Sequence, residues 1–447
     1  MQFIVKYRTH WLDWIARVFF ALTLVLIPLH WRVTLHKQLS PPVYADYTDY
    51  LLFAPDVTII SMLFLWGISH RLTPRPIKLG PAHIWLPLFG LTAAGWLSTL
   101  TAEYRELSAY HVIRLVILFG FYLYIVNEVN STLWVMLPVT IQLILQSGVA
   151  MGQFWYQHSI GLQTFGEFTL DPGAAGVSIV SANGIRLLRA YGLTGHPNIL
   201  GGCLAFGLIL LLAVILHGGK QMCWLAAFAF LPAALALAQT FSRSAWLAFL
   251  GGSLLLIGAE VVRRQWEQVR RASLLAFASV FVIAPFVWQN LTFFRVRLNV
   301  DQSFENVPAE QQSIGERGLL IRSANRIFVE HPINGIGLAA APLAMKDYYP
   351  DFPVNYQPPH YTLLAVAVET GLIGAVFYFF LMTLPAFTFF SKRKTFVTQP
   401  VMVACAALLL AVVIVGFFDY YTWSYDPGRL WQWLAWGLWS AAVERAQ

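Results

Sequence analysis

The chain has 447 residues, of which 58% are hydrophobic and only 11% are charged, and its mean hydropathy is +0.61. A soluble domain carries about 25% charged residues, so this composition excludes an ordinary soluble protein. The formal net charge of +7 is scattered along the chain rather than gathered in one patch, which argues against a nucleic-acid partner.

Apolar runs of bilayer length recur from one end of the sequence to the other. Because a membrane-spanning helix needs about 20 such residues, the pattern predicts an all-α polytopic membrane protein. The first run lacks a small-x-small cleavage site and is predicted to be an uncleaved span. No repeat or low-complexity tract divides the chain, so we expect one membrane domain over residues 1–447. The runs predict about twelve transmembrane helices, at approximately 11–31, 50–69, 79–99, 107–127, 132–156, 197–217, 221–240, 244–263, 273–291, 361–390, 400–418 and 430–444.

The positions of lysine and arginine predict how the chain threads the membrane. Short cytoplasmic loops are enriched in these two residues. With the N-terminus inside, nearly every short inner loop carries such anchors, and the C-terminus also lies inside. The anchors are Lys6, Arg8, Arg71, Arg75, Lys78, Lys220, Arg263, Arg264, Arg270, Arg271, Lys392, Arg393 and Lys394.

Two of the outer loops are long, at residues 157–196 and 292–359. The second loop lies between spans nine and ten and mixes polar, glycine and proline residues around a predicted short helix at 316–330. Long loops escape the charge bias of short ones, so their arginines do not contradict the threading. We expect residues 292–359 to cap the outer face of the membrane domain.

Cysteine and acidic residues give no sign of a metal centre. Cys203, Cys223 and Cys405 fall inside apolar runs without metal-ligand spacing and are interpreted as packing residues. Asp46 and Asp49, in "ADYTDY", are interpreted as a solvated turn, because no dense acidic cluster suited to magnesium surrounds them. We therefore expect neither a metal nor another cofactor.

The sixth and tenth spans begin at the outer face with polar residues. The sixth begins at "GLTGHPNILGG", where Thr194 or His196 could cap the helix and Pro197 suits its first turn. His196 is interpreted as a cap or packing group rather than as a catalyst. The tenth begins at "NYQPPHYTLL", where two prolines leave His360 in the opening turn, either as a capped surface histidine or as a functional one.

The eighth span begins at "TFSRSAWL", with Thr240 or Ser242 as the cap and Arg243 in or beside the first turn. The helix macrodipole disfavours a cation there by about 0.3 to 1 kcal/mol. The conflict disappears if an anion binds, because backbone N–H groups, the dipole and a guanidinium all favour a phosphate. Arg189, before the sixth span, and Arg317, in the long outer loop, fit the same role.

Membrane anchoring is the competing interpretation for these arginines. Taken singly, Arg186, Arg322 and Arg326 are best interpreted as side chains that snorkel to the membrane surface. Arg189 and Arg243 are less readily explained as anchors, because both lie on the outer side, where the charge bias discourages them.

Two further ionisable residues lie within predicted spans. Glu369 falls on the face of the tenth span opposite His360 and is a poor candidate for orienting it. Gly371 and Gly374 fall close to the stripe below His360, so a neighbouring helix is expected to approach tightly there. Arg114, in the fourth span, is compatible either with a buried function or with snorkelling at the outer end of the helix.

These stretches occur in a recognisable order. "RAYGLTGHPNILGG", "FSRSAWLAF", "GER" leading to "EHPINGIGL", and "HYTLLAVAVETGLIG" follow one another between residues 186 and 374. Their order and common outer placement resemble the bacterial O-antigen ligase and O-antigen polymerase superfamily. Members of this superfamily are metal-independent, multi-spanning glycosyltransferases of the GT-C type. They move a glycan from undecaprenyl diphosphate to an acceptor outside the plasma membrane.

The resemblance implies roles for individual residues. It implies that His360 is the catalytic histidine, accepting the proton of the acceptor hydroxyl in an inverting single displacement. It implies that Arg189, Arg243 and, with a weaker match, Arg317 bind the donor diphosphate. The supporting groups would be Arg186, His196, Asn198 and Arg326. The protein would be a multi-pass protein of the bacterial inner membrane, with its active site under the outer loop and membrane lipid around it.

One residue departs from the ligase pattern, and two alternatives remain open. Ligases carry Asn, Ser or Gln after the catalytic histidine, whereas this chain has Tyr361, so the acceptor is either a lipid A-core or another glycan. A polymerase would need the same diphosphate site as a ligase. A transporter of lipid-linked oligosaccharide would have a similar number of spans, but it should have repeat symmetry and polar groups near the bilayer midplane.

Overall fold

The computed structural model of the chain describes residues 2–298, 300 and 307–446. Residues 299 and 301–306 of the long predicted outer loop lie outside it, as do the side chains of the predicted anchors Lys6 and Arg8. The first half contains α1 (Gln2–Leu26), β1 (Arg32–His36), α2 (Ala45–Thr48), β2 (Tyr50–Phe53), α3 (Ala54–Leu72), α4 (Ala82–Thr101), α5 (Arg105–Glu128), α6 (Leu133–Tyr156), β3 (Ile179–Ala182) and β4 (Ile185–Leu188).

All the regular secondary structure described in the second half is helical. It contains α7 (Pro197–His217), α8 (Lys220–Gln239), α9 (Arg243–Val262), α10 (Trp266–Gln289), α11 (Leu291–Arg297), α12 (Val307–Glu330), α13 (Ala341–Tyr348), α14 (Thr362–Ser391), α15 (Arg393–Phe396), α16 (Pro400–Phe418), α17 (Tyr421–Ser424) and α18 (Asp426–Ala446). A long helix covers most of each apolar run, so the prediction of an all-α polytopic membrane protein is confirmed. The outer helix predicted at 316–330 begins earlier, at Val307.

Nine helices in the described ranges are long and apolar enough to cross a membrane. Three other long helices, α1, α3 and α18, correspond to the remaining predicted spans, and each of them contains charged residues. Some of their described charged side chains pair within the protein: Oδ1 of Asp13 in α1 lies 2.9 Å from Nη2 of Arg75. Pairing lowers the free-energy cost of placing charge among apolar helices.

Arg114 belongs to a buried ion-pair network rather than to the membrane surface. Its guanidinium donates to both carboxylate oxygens of Asp56 in α3, at 3.0 and 2.9 Å, and it also pairs with Asp426 in α18. The side chain is 9% exposed, so snorkelling does not describe it. The network joins α3, α5 and α18. Of the two interpretations of Arg114 that the sequence left open, the buried position is therefore the correct one.

Two antiparallel strand pairs that were not predicted from the sequence lie in the connections between α1 and α3 and between α6 and α7. β1 pairs with β2, and β3 pairs with β4 in the register Ile179↔Leu188. The interpretation of Asp46 and Asp49 as a solvated turn was wrong. Asp46 accepts a hydrogen bond from Arg32 at 2.5 Å, and the buried Asp49 accepts one from the backbone N–H of Gln38 at 2.9 Å. Both carboxylates tie the loop to the β1 hairpin.

The helix α7 forms the centre of the bundle. Nearly all of its residues are buried, and it packs against α6, α8, α9 and α16. Cys203 and Cys405 are buried in this core, Cys223 is half-buried, and all three are free thiols, as predicted for packing residues. The central position of α7 fixes its N-terminus, where the polar stretch "GLTGHPN" lies.

The tenth predicted span, α14, is interrupted rather than continuous. Gly371 has φ +66°, which breaks the helix below His360, so the expected regular glycine stripe is wrong there. The turn at 333–337 fills the break: the N–H groups of Ile336 and Gly337 donate to the carbonyls of Val368 and Glu369, each at 3.0 Å. The expected close approach at the second glycine, Gly374, is confirmed, since Ala94 of α4 lies 3.4 Å from where its Cβ would be.

Removing Arg114 should destabilise the protein strongly. Arg114→Leu should lower the free energy of unfolding by about 3 to 5 kcal/mol, because Asp56 and Asp426 would stay buried without their cation. Arg105→Leu, at an exposed position of the same helix, should change it by about 0.5 kcal/mol or less. Denaturant titration in detergent measures both, and equal losses for the two variants would contradict the network.

A side chain at Gly371 should be poorly tolerated. Gly371→Ala requires a left-handed backbone and places a Cβ 2.0 Å from the carbonyl oxygen of Ile333. We expect a loss of about 1 to 3 kcal/mol, measured as a lower melting temperature in detergent. Gly258→Ala in α9 is the matched control, because its Cβ would meet nothing within 4 Å. A melting temperature for Gly371→Ala equal to that of the control would show that the break is unimportant.

Candidate active site

The polar residues predicted from sequence gather at one end of the helix bundle. The starts of α7, α9 and α14 meet the ends of α8, α11 and α16 there. Hydrogen bonds join these termini: Thr362 donates to the carbonyl of Asp419 at 2.8 Å, and Arg243 donates to the carbonyl of Arg297 at 3.2 Å. The site is therefore built from helix ends that alternate in direction.

Arg189 is buried at this end of the bundle and connects α8 to α7. It is 4% exposed, and its Nε donates to the carbonyl of Thr240 at 2.7 Å, at the C-terminus of α8. Its Nη2 donates to Oδ1 of Asn198 at 2.6 Å. A cation at a helix C-terminus is favoured by the macrodipole, so this placement stabilises α8 as well as the site. The geometry brings together Arg189 and Asn198, two of the residues singled out from the sequence.

Asn198 also contacts Asp419, an acidic residue that was not predicted from the sequence. Its Nδ2 donates to Oδ2 of Asp419 at 2.9 Å, while the other carboxylate oxygen accepts the N–H of Tyr420 at 2.9 Å. Asp419 follows directly after the apolar helix α16 and is buried. A carboxylate held in this way next to Arg189 supplies negative charge inside an otherwise basic site.

His360 lies against Tyr420 just before α14. The two rings meet edge to face, with centroids 4.8 Å apart. The imidazole Nδ1 is buried and has no hydrogen-bond partner among the described residues. Burial lowers the pKa of His360 from its ordinary value to about 4; the charge of Asp419 raises it and that of Arg317 lowers it. The imidazole is therefore neutral at pH 7 and able to accept a proton.

His196 has the capping role predicted for it. Its Nδ1 accepts the backbone N–H of Asn198 at 3.1 Å, and its Nε2 lies 3.0 Å from the hydroxyl of Ser178. Burial, with Arg189 nearby, lowers the pKa of His196 well below its ordinary value, and His360 and Arg317 lower it further. A neutral ring with one nitrogen accepting fixes the start of α7.

Arg243 occupies the first turn of α9, where the sequence placed it. Ser242 is the N-cap residue, but its side chain makes no capping hydrogen bond, and Thr240 accepts the N–H of Ser242 at 3.3 Å. The carbonyl of Arg297 accepts from Arg243, and Arg297 itself donates to the carbonyl of Phe241 at 2.8 Å. The carbonyl of Arg297 therefore offsets part of the unfavourable interaction between the Arg243 cation and the positive end of the α9 dipole.

The outer helix α12 brings one predicted arginine to the site and keeps another away. Arg317 lies on the face that carries the buried Leu320 and Ala324, and its charge lowers the pKa of His360. Arg326 is exposed on the opposite face of the helix, because nine residues at 100° each turn the side chain by about half a circle. Arg186 is also exposed, on β4, and no described contact links it to the site.

Three groups at the site escaped the sequence analysis: Arg297, Asp419 and Tyr420. Arg297 could have been found by the argument used for Arg243, since it is another cation at the outer end of an apolar helix. Asp419 carried a similar signal, an acid directly after an apolar run at the predicted outer face. No feature of the sequence around Tyr420 indicated that it belongs to the site. Glu369 behaves as predicted: it accepts a hydrogen bond from Trp423 at 2.8 Å and does not contact His360.

Within the described ranges, no group of three or more His, Cys, Asp or Glu side chains is arranged to hold a metal ion. The chemical groups at the site are instead guanidinium donors, helix N-termini, a neutral imidazole and one carboxylate. Such a set can bind an anion and move a proton.

Comparison with protein families supports this interpretation. Residues 227–379 match the family model described as O-Antigen ligase. Over this segment the chain resembles the O-antigen ligases. The segment includes Arg243, Arg317 and His360 but begins after Arg189 and His196. The resemblance predicted from the sequence is confirmed over this segment and supports a function of the membrane glycosyltransferase type; no curated protein matches the chain.

Proposed function

We propose that this protein is an inverting glycosyltransferase of the inner membrane that moves a glycan from undecaprenyl diphosphate to a hydroxyl of lipid A-core at the outer face. The observation that carries the proposal is the meeting of a neutral histidine with several arginines where three helix N-termini converge. Since the described part of the chain has nine apolar helices of membrane length, these groups lie beside a lipid phase. A lipid-linked anion reaches such a site from the membrane.

The arginines divide into two kinds by burial. Arg189 and Arg297 are buried and hold the carbonyls of Thr240 and Phe241, so they shape the turn before α9 and contribute positive potential. Arg243 and Arg317 are only half-buried, and we propose that they contact the donor diphosphate. Asn198 and His196 support the site by orienting Arg189 and the start of α7.

The groups at this site can account for each bond and proton of the proposed reaction. The acceptor hydroxyl oxygen attacks C1 of the donor sugar, and the bond from C1 to the diphosphate oxygen breaks with its electron pair on the diphosphate. His360 accepts the hydroxyl proton, and Asp419 stabilises the resulting imidazolium. The guanidinium groups stabilise the charge that grows on undecaprenyl diphosphate, so no metal is required. Transfer should therefore persist in excess EDTA.

Polymerisation of lipid-linked repeats is the second candidate, and Tyr361 is the residue that favours it. Tyr361 replaces the small polar residue of ligases and stacks on Phe417, with ring centroids 5.9 Å apart. Mass spectrometry of surface glycans from a deletion strain distinguishes the two activities. Loss of all attached glycan supports a ligase, whereas a single attached repeat supports a polymerase.

Substitutions at His360 and Arg243 should affect different steps. His360→Ala should slow transfer from purified lipid-linked donor by about 100-fold or more while leaving the Kd of the donor nearly unchanged. Arg243→Ala should weaken donor binding by about 10- to 100-fold, because a charge-assisted hydrogen bond is lost.

Two matched controls accompany these variants. Arg186→Ala and Arg326→Ala remove exposed arginines that do not reach the site and should leave both parameters unchanged. Full activity of His360→Ala would overturn the assignment of the base.

The pH dependence should reflect the lowered pKa of His360. A base must be deprotonated, so kcat/KM should stay level from about pH 6 to 8 and fall as the pH drops toward about 4. Removing the nearby cation raises the pKa, so Arg317→Gln should move this fall to higher pH. Profiles of both proteins on one donor test the idea, and a fall centred at the same pH in both would contradict it.

A further inference from the structure

A second cavity lies at the end of the bundle opposite His360. It occupies about 910 Å³ including its open mouth, and its walls are almost wholly apolar. The starts of α6 and α16 and the ends of α7 and α18 enclose it. The 21 residues of α7 separate it from the active-site end by about 30 Å. It is therefore independent of the glycosyl-transfer site.

The mouth of this cavity is basic. Arg445 is exposed there and donates to the carbonyl of Val129. Arg271 donates to the carbonyl of Leu216 at 3.4 Å, next to the cavity residue His217. Ser131 and Thr132 add exposed hydroxyl groups to the rim.

The carboxylates near the mouth are already paired with cations. Glu128 lies 3.0 Å from Arg75, and Glu260 lies 2.9 Å from Arg263. Glu267 pairs with both Arg270 and Arg271, at 2.9 and 3.2 Å, so Arg271 adds little to the potential at the rim. The positive charge that lines the cavity mouth is therefore that of Arg445.

We propose that this cavity binds an anionic glycerophospholipid. One acyl chain fills the apolar interior, which water would occupy only at a cost because the walls offer few hydrogen-bond partners. The phosphate contacts Arg445, and the rim hydroxyl groups donate to the headgroup. Basic pockets between membrane helices recognise anionic headgroups for the same electrostatic reason. A lipid bound there would join α6, α7, α16 and α18.

Native mass spectrometry of the full-length protein in detergent tests the proposal, with phosphatidylglycerol and phosphatidylethanolamine of identical chains as probes. Wild-type protein should retain about fivefold more phosphatidylglycerol, the ratio expected for one arginine at a headgroup. Arg445→Gln should reduce retention of phosphatidylglycerol to the phosphatidylethanolamine level. Val401→Trp, at an exposed position of the cavity wall, should reduce retention of both lipids.

Lys394→Gln is the control, because it removes an exposed cation outside the cavity. Size-exclusion profiles verify that every variant is folded. The proposal is overturned if wild-type protein has no headgroup preference, if Arg445→Gln and Val401→Trp retain phosphatidylglycerol as the wild type does, or if only a free fatty acid is retained.

Discussion

The active-site end of this protein depends on Asn198, which holds a buried cation and a buried carboxylate at once. Its two amide atoms connect Arg189 to Asp419, and through them α7 and α8 to the end of α16. An amide can do this because its oxygen accepts while its nitrogen donates, so neither charge is left uncompensated in a region of low dielectric constant. The start of α7 is the rigid reference for the other helix ends, because α7 is surrounded by the rest of the bundle.

The same chain of contacts sets the electrostatics around His360. Burial lowers the pKa of His360, the charge of Arg317 lowers it further, and the charge of Asp419 raises it. A site with arginines alone would disfavour the imidazolium that proton transfer creates. In the proposed mechanism, the buried carboxylate of Asp419 would therefore stabilise the imidazolium that forms when His360 accepts a proton.

Much of the fold could be predicted because the membrane imposes a simple rule on sequence. Runs of apolar residues had to be helices, and each one corresponds to a long helix. The ends of these helices were predictable wherever a charged residue stood at the start of an apolar run, as with Arg243. The chemistry of the site was less predictable: Asp419 and Tyr420 matter because of partners far away in sequence, and no local period encodes such contacts. The ion pairs of Arg114 and the hairpin around Asp46 were missed for the same reason.

The break at Gly371 links the outer loop to the helix below it. Main-chain groups of residues 332–337 bond to main-chain groups on both sides of the break. These bonds involve no side chain that could swing aside, so the loop and the first turns of α14 form one mechanical unit. His360 stands at the head of that unit. Any movement of this loop must therefore tilt the imidazole as well. In the proposed mechanism this would tie the entry of substrate beneath the loop to the alignment of the base.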